Sequence, residues 1–450
     1  MKWCVFFAAL AGCSYGGYHA DYDSLKERLH QDPAFLRGPN GSSAELSSRL
    51  SSLFDREPLP DLTGSVPLED LVRFALAKNP ELRAAMKRLE AAIEAVPQAA
   101  SAPAPELEFG AMTDLHDLFE NILEWTVKLM QELLFPGKLR AQAHFALENA
   151  AEVSEQAREL ALQLRLDIAM RAGRLHETDH ALRIVGESKN LVDQLARVAR
   201  ARYEAGQIPE QDVLKIRVRA LQLERRQIEL ARMRREAEAE LNALLGRRDL
   251  TAIGAAAFDE STTEPAALDG LLARAFQHRP DVAAMTHRVR RELEGVRLAE
   301  LEWWPDLSPA VMANLRPGKD DDFAIGLSMH LSFLRPGKRA AAERQARAAL
   351  GEAAHMFEAR LNEIARDVAA GHARAVETAR SAALFRGRLV PEARKTYESA
   401  LASYRAGAVD FDTVIEALMT ALDTEIELHR LVADHLVARE SLRRAVGEKP

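Results

Sequence analysis

Apolar and polar positions alternate strictly along residues 323–334. Ile325, Leu327, Met329, Leu331 and Phe333 fall on one side; Ala324, Gly326, Ser328, His330 and Ser332 fall on the other. A period of two marks a strand with one apolar face. Residues 122–134 keep the same phase, with Trp125, Val127, Leu129 and Leu133 against Thr126, Lys128 and Glu132. Further strands are predicted over 106–113 and 307–315. Elsewhere the spacing is helical. Leu68, Leu71, Val72, Ala75 and Leu76 open a helix at Pro67, with Glu69 and Asp70 in its first turn, where carboxylates favour the positive helix end. Asn79-Pro80 interrupts it, and a second helix runs to about 101, where APAP stops it. Beyond Pro136-Gly137 no proline occurs until Pro209, so one helix is predicted as far as Tyr203. At 1.5 Å per residue such a helix spans roughly 100 Å. A turn at Gly206 leads into a return helix over 210–245.

The whole pattern then occurs again, about 200 residues later. Leu68, Leu71, Ala75, Pro80, Pro105 and Met112 meet Leu268, Leu271, Ala275, Pro280, Pro305 and Met312, and Tyr203-Glu-Ala-Gly206 meets Tyr404-Arg-Ala-Gly407. The second set reads as helices 268–278 and 281–302, strands 307–315 and 323–334, a long helix 339–404 and a return helix 410–446. Each half passes from strand to long helix through the same tripeptide: Pro136, Gly137, Lys138 and then Pro336, Gly337, Lys338. A repeat this long is a structural half, not a solenoid unit. Strands of about nine to twelve residues can cross a bilayer at a tilt. A soluble half-buried sheet alternates in the same way. Four strands cannot close a membrane barrel, so spanning strands would require several chains to share one.

Composition narrows the classes. The net charge of −8 over 450 residues, with basic residues scattered, argues against a nucleic-acid surface. Ala, Leu, Arg and Glu dominate and aromatics make up 6%, which suits long helices. Cys4 and Cys13 are the only cysteines, so the body holds no disulfide framework. No apolar run reaches the length of a transmembrane helix. At the N-terminus, Lys2, the run WCVFFAAL and LAGC at 10–13 look like a lipoprotein signal over 1–12, with Cys13 as the acylated first residue. An ordinary signal peptide or a misplaced start is the alternative. Residues 13–66 read as an extended lead-in rich in Ser, Gly, Pro and Asp.

The stretches LEDLVRFALAKNPELRAA (68–85), QELLFPGKLRA (131–141), ARYEAGQIPEQDVL (201–214), HRPDVAAM (278–285) and ASYRAGAVDFDTVIEA (402–417), in this order, resemble the TolC family of outer-membrane efflux proteins. The resemblance covers 67–447 and divides it into repeats 67–246 and 267–447 around an equatorial linker, 247–266. It implies a mainly α fold with four transmembrane β-strands per chain. Three chains would form one twelve-stranded barrel above a long periplasmic helical barrel. It further implies a lipid-anchored outer-membrane duct with no catalysis and no cofactor, passively passing metal cations or drugs. The duct would be joined through a periplasmic adaptor to an inner-membrane pump; QELLFPGK resembles members paired with heavy-metal pumps of the resistance-nodulation-division class. The exit component of a type I secretion system is the alternative. A soluble coiled-coil scaffold would explain the helices but not the paired strands.

Three sets of residues are candidates for function. Asp212, Asp412 and Glu416 follow the glycine turns, where the resemblance implies an acidic ring at the periplasmic entrance; Thr413 stands where a second acid is expected. Helix capping and first-turn charge complementation would use the same acids. His176-Glu177-Thr178-Asp179-His180 is a formal H-E-x-x-H, which on a helix sets two imidazoles on one face, with Glu177 as a general base for a zinc peptidase. Catalytic zinc needs a third ligand and a cleft, and the second repeat reads Val376-Glu377-Thr378-Ala379-Arg380. A coincidental polar face is therefore the better reading, then a weak metal contact, and no metal site is assigned. Met112, Met130 and Met312 are soft donors on strands, without the spacing of a site.

Overall fold

The computed structural model describes residues 60–112, 124–249, 251–315, 320–331 and 334–448, together with the backbone of 4–6 and 19–21. The rest of the signal segment, Cys13, most of the lead-in, the loop at 114–121 and the strand ends 113, 122–123 and 332–333 lie outside the described residues. Strands β1 (Cys4–Phe6) and β2 (His19–Asp21) pair antiparallel. Strand β3 (Val66–Pro67) leads into α1 (Leu68–Lys78), which buries Leu68, Leu71, Val72 and Ala75 on one face. Asn79 separates α1 from α2 (Pro80–Ala100) and caps the latter. Its Oδ1 accepts from the amides of Glu81 (2.9 Å) and Leu82 (3.0 Å), and its Nδ2 donates to the Leu244 carbonyl.

Strands β4 (Glu106–Met112) and β5 (Glu124–Met130) precede α3 (Lys138–Glu204) and α4 (Glu210–Leu244). Strand β6 (Ala256–Ala257) pairs parallel with β3 and so ties the lead-in to the 247–266 segment. The second set follows: α5 (Leu268–His278), α6 (Pro280–Leu301), β7 (Leu307–Leu315), β8 (Asp322–Met329), α7 (Pro336–Leu384), α8 (Val390–Arg405) and α9 (Phe411–Val446). No helix among the described residues is long and apolar enough to cross a membrane.

Two expectations are corrected. The helix expected over 339–404 starts earlier, at Pro336, and widens into a π-helical turn at Phe385–Leu389 before α8. Proline at a first helical position loses no hydrogen bond. Pro391, just past the π turn, has no amide hydrogen and crowds the turn before it; the wider turn relieves that crowding. Three of the strands are also shorter among the described residues than nine to twelve: β4 and β5 have 7 and β8 has 8, while β7 has 9. Pairing nevertheless runs past β5, because Gln131 donates to the Pro309 carbonyl (3.1 Å) and Leu133 exchanges hydrogen bonds with Leu307.

Spatial grouping cuts across the sequence repeats. One compact unit holds 85–157 and 280–361, and a second holds 54–84, 158–279 and 362–450. The first contains the four-stranded sheet. The second has one core of α1, α3, α4 and the linker, with Leu71, Ile168, Leu175, Leu241 and Ile253 almost fully buried, and another around Ile216, Tyr404, Phe411 and Val414.

Candidate functional site

The strand order is β4-β5-β7-β8, all antiparallel. Directly paired residues share a face, so the register divides the sheet into rows. Leu107, Leu129, Val311 and Ile325 form one row; Phe109, Val127, Ala313 and Phe323 form the next. Both rows lie on the same face, which is apolar throughout and open: Phe109 is 70% exposed, Phe323 77% and Ile325 89%. The opposite face carries the rows Glu108-Lys128-Met312-Ala324 and Gly110-Thr126-Asn314-Asp322. Lys128 pairs with Glu108 at 3.1 Å and Thr126 donates to Asn314 at 3.0 Å. Met112, Met130 and Met312 share this polar face but stand in three different rows. In the sheet β4 and β8 are the outer strands.

The two Pro-Gly-Lys segments take different forms. At the first, Pro136 and Gly137 make a turn with Gly137 at φ 101°, and α3 starts at Lys138. Lys138 is 2% exposed. Its ammonium donates to Asp306 Oδ2 (2.7 Å) and the Trp304 carbonyl (3.3 Å), while Asp306 Oδ1 accepts from the Phe135 amide (2.7 Å) and Phe135 stacks on Trp304. At the second, Pro336, Gly337 and Lys338 already belong to α7 and are exposed.

The tip acids do not act as one group within the chain. Asp410, absent from the sequence reading, is the N-cap of α9: its side chain accepts from the Thr413 amide (3.1 Å) and hydroxyl. Thr413, which stands where an acid was expected, serves that cap. Asp412 is exposed and pairs with Lys215 at 2.5 Å. That hydrogen bond, with the charges of Asp212 and Asp410, raises the Lys215 pKa. Asp212 is half-buried in the first turn of α4, and Glu416 is exposed in α9.

The H-E-x-x-H pair acquires a third imidazole. His176 and His180 on α3 meet His429 on α9, and one ligand atom from each lies within 4.8 Å of the others. The His180 and His429 rings stack with centroids 3.8 Å apart; His176 tilts against His180 (4.3 Å) and Phe258 (4.7 Å). Burial, the first cause in each case, lowers all three pKa values; His429, with the other two imidazoles beside it, falls to about 4. The rings are therefore neutral at pH 7. Glu177 is raised by burial, and its charged neighbours are Arg430, Asp434, Arg174 and Glu427. Sequence reasoning missed His429 because the repeat places Ile228 at its counterpart position, and nothing local pairs it with residues 249 and 253 positions earlier.

Comparisons with known proteins agree with the duplicated architecture. Among solved structures, a membrane protein from Pseudomonas aeruginosa matches with TM-score 0.75 and 19% identity, over 88% of this chain and 99% of that one. The outer-membrane protein VceC of Vibrio cholerae matches with TM-score 0.71 and 18% identity, over 84% and 96%. The open state of the MtrE outer-membrane channel of Neisseria gonorrhoeae matches with TM-score 0.70 and 16% identity, over 84% and 88%. At these identities the likeness is one of fold. No curated protein matches significantly. The profile of outer membrane efflux proteins matches twice, over residues 71–247 and 271–448, once for each repeat, and the chain belongs to that family.

Proposed function

We propose that the chain is the outer-membrane exit duct of a tripartite efflux system, working as a homotrimer with a periplasmic adaptor and an inner-membrane pump. The carrying observation is the sheet: one face is apolar across all four strands and exposed, and the other is polar or small apart from three methionines. An exposed apolar face of this size needs a covering, and a bilayer supplies one. Open strand edges are not tolerated in lipid. Three copies joined edge to edge would close twelve strands, with the polar face inward. Passage through such a duct is passive; the pump supplies the drive. Lipid on Cys13 would add a second anchor, and mass spectrometry of the mature N-terminus tests it.

The deciding experiment compares neighbours on β8. Leu327→Arg puts a charge on the apolar face, at a cost of roughly 2–4 kcal/mol near a bilayer midplane. Ser328→Arg puts it on the polar face. Outer-membrane fractionation and trimer yield in detergent should fall for the first variant and hold for the second. Equal yields would refute the lipid-facing assignment. At the tips, Asp212, Asp412 and Glu416 from three copies would form an acidic ring that favours cations. Asp212→Asn with Glu416→Gln should lower cation selectivity in planar-bilayer recordings; unchanged selectivity in an assembled trimer would leave these acids no gating role.

A further inference from the structure

We infer that His176, His180 and His429 form a binding site for a divalent transition-metal ion of the zinc class, with Glu260 as the fourth donor. Two ligands come from successive turns of α3 and one from α9, and their ligand atoms converge to within 4.8 Å. His176 Nε2, His180 Nδ1 and His429 Nδ1 are buried and have no hydrogen-bond partner. Histidines that only fill space satisfy their ring nitrogens with carbonyls, hydroxyls or water. Here three unpaired nitrogens belong to one cluster, and a single cation would satisfy all of them. The Ala256 backbone lies beside the His176 ring and favours its protonated form, while Nε2 has no hydrogen-bond partner.

Glu260 completes the set. Its Oε1 lies 3.8 Å from His176 Nε2, and its side chain is half exposed. Zinc bonds of 2.0–2.1 Å in a tetrahedron put donor atoms roughly 3.3–3.4 Å apart. The three imidazole donors are therefore too far apart, so the stacked His180 and His429 rings must turn about their side-chain torsions on binding, and the Glu260 carboxylate, which lies near His176 alone, must swing toward the other two. The donor set of imidazoles and a carboxylate favours zinc, copper or nickel over magnesium or calcium. Arg183 and Arg386 are the nearby cations. Both have partners: Arg183 pairs with Glu187, and Arg386 donates to the Glu260 carbonyl. No hydrolysis is proposed: Glu177 lies in the field of Arg430 and Asp434, and Glu260 would take the position an attacking water needs. The ion would fasten the Ala256–Glu260 segment to α3 and α9.

The test uses the full-length protein in detergent, stripped with EDTA and titrated with Co²⁺. The expected result is one Co²⁺ per chain, with the intense visible bands of four-coordinate cobalt, displaced by one equivalent of Zn²⁺. His429→Gln, which keeps most of the ring's volume, and His180→Ala should each weaken binding at least tenfold. Glu260→Gln should weaken it less, and His355→Ala, on an exposed histidine of α7, should change nothing. Zn²⁺ should also protect the 256–260 segment from limited proteolysis in the wild type and not in His429→Gln. If a variant fails to assemble, wild-type stoichiometry, band intensity and protection decide the matter. No stoichiometric uptake, weak six-coordinate bands, or equal loss in His355→Ala would overturn the site.

Discussion

The two Pro-Gly-Lys joints share a sequence and differ in surroundings. Lys138 is buried and paired with Asp306, just ahead of β7; Lys338 is exposed. The difference follows from which strands are paired. Strand β5, which leads to Lys138, lies beside β7 in the same chain. Strand β8, which leads to Lys338, has no further neighbour in the sheet. Stepping back by the repeat, the counterpart of β7 is β4, the other outer strand, and the counterpart of Asp306 is Glu106. A buried joint within one chain and an exposed joint at its edge are what a ring of identical copies requires. In the trimer proposed above, Glu106 of the next copy would meet Lys338 as Asp306 meets Lys138. In that trimer, duplicated sequence would yield two interfaces, one inside the chain and one between chains.

The largest expected effect is at the inner joint. Lys138→Met leaves Asp306 without its cation in a mostly buried setting, and breaking such a pair costs about 3 kcal/mol. Thermal unfolding of the detergent-solubilised protein should show it; a loss below 1 kcal/mol would mean that the pair is as solvated as a surface one. At the outer joint the signal lies in coupling. A double-mutant cycle of Lys338→Met with Glu106→Gln should give a coupling energy of roughly 1–2 kcal/mol in trimer dissociation. Additive effects would separate the two residues. The same offset sets a register: Leu129 pairs with Val311 within the chain, so Met329 should pair with Ala111 of the next copy. Met329→Cys with Ala111→Cys should therefore form inter-chain disulfides, since directly paired strand residues have Cα separations within disulfide reach. A ladder of cross-linked dimers and trimers on gels supports the shared sheet, and its absence under oxidising conditions counts against it.

The sequence carried the architecture well where periodicity is the physics. The alternation at Ile325, Leu327 and Met329 correctly foretold one apolar face, and the 200-residue offset foretold the matched order of elements. Contacts between distant segments were out of reach. The identical tripeptides suggested identical joints, yet Asp306, Trp304 and Phe135 surround only the first; their counterparts are Glu106, Ala104 and Arg335. The tip acids were read as a candidate gate, with first-turn charge as the alternative; Asp212 and Asp412 do lie in first turns and Glu416 lies beyond one, while the cap itself is Asp410, whose role depends on where α9 begins. His429 was invisible for the same reason as Asp306. Helical spacing showed that His176 and His180 share a face, and only the packing of α9 against α3 showed what that face meets. The π turn before Pro391 was missed because the apolar pattern continues across it.

The smallest effects test the backbone of the joints. Gly137 has φ 101°, outside the range an L side chain adopts without strain. An added Cβ would meet only Leu301 side-chain atoms at 3.7 and 3.8 Å, an ordinary contact. The penalty for Gly137→Ala is therefore purely conformational, about 1–2 kcal/mol. Gly337 lies in the first turn of α7 without a positive φ, and nothing stands within 4 Å of its added Cβ. Gly337→Ala should stabilise by about 0.5 kcal/mol, through the lower entropy of the unfolded chain. The same substitution at two copies of one motif should then move the unfolding midpoint in opposite directions. A loss at Gly337 as large as that at Gly137 would mean that the second joint turns like the first once copies assemble, and that the difference between them belongs to the single chain alone.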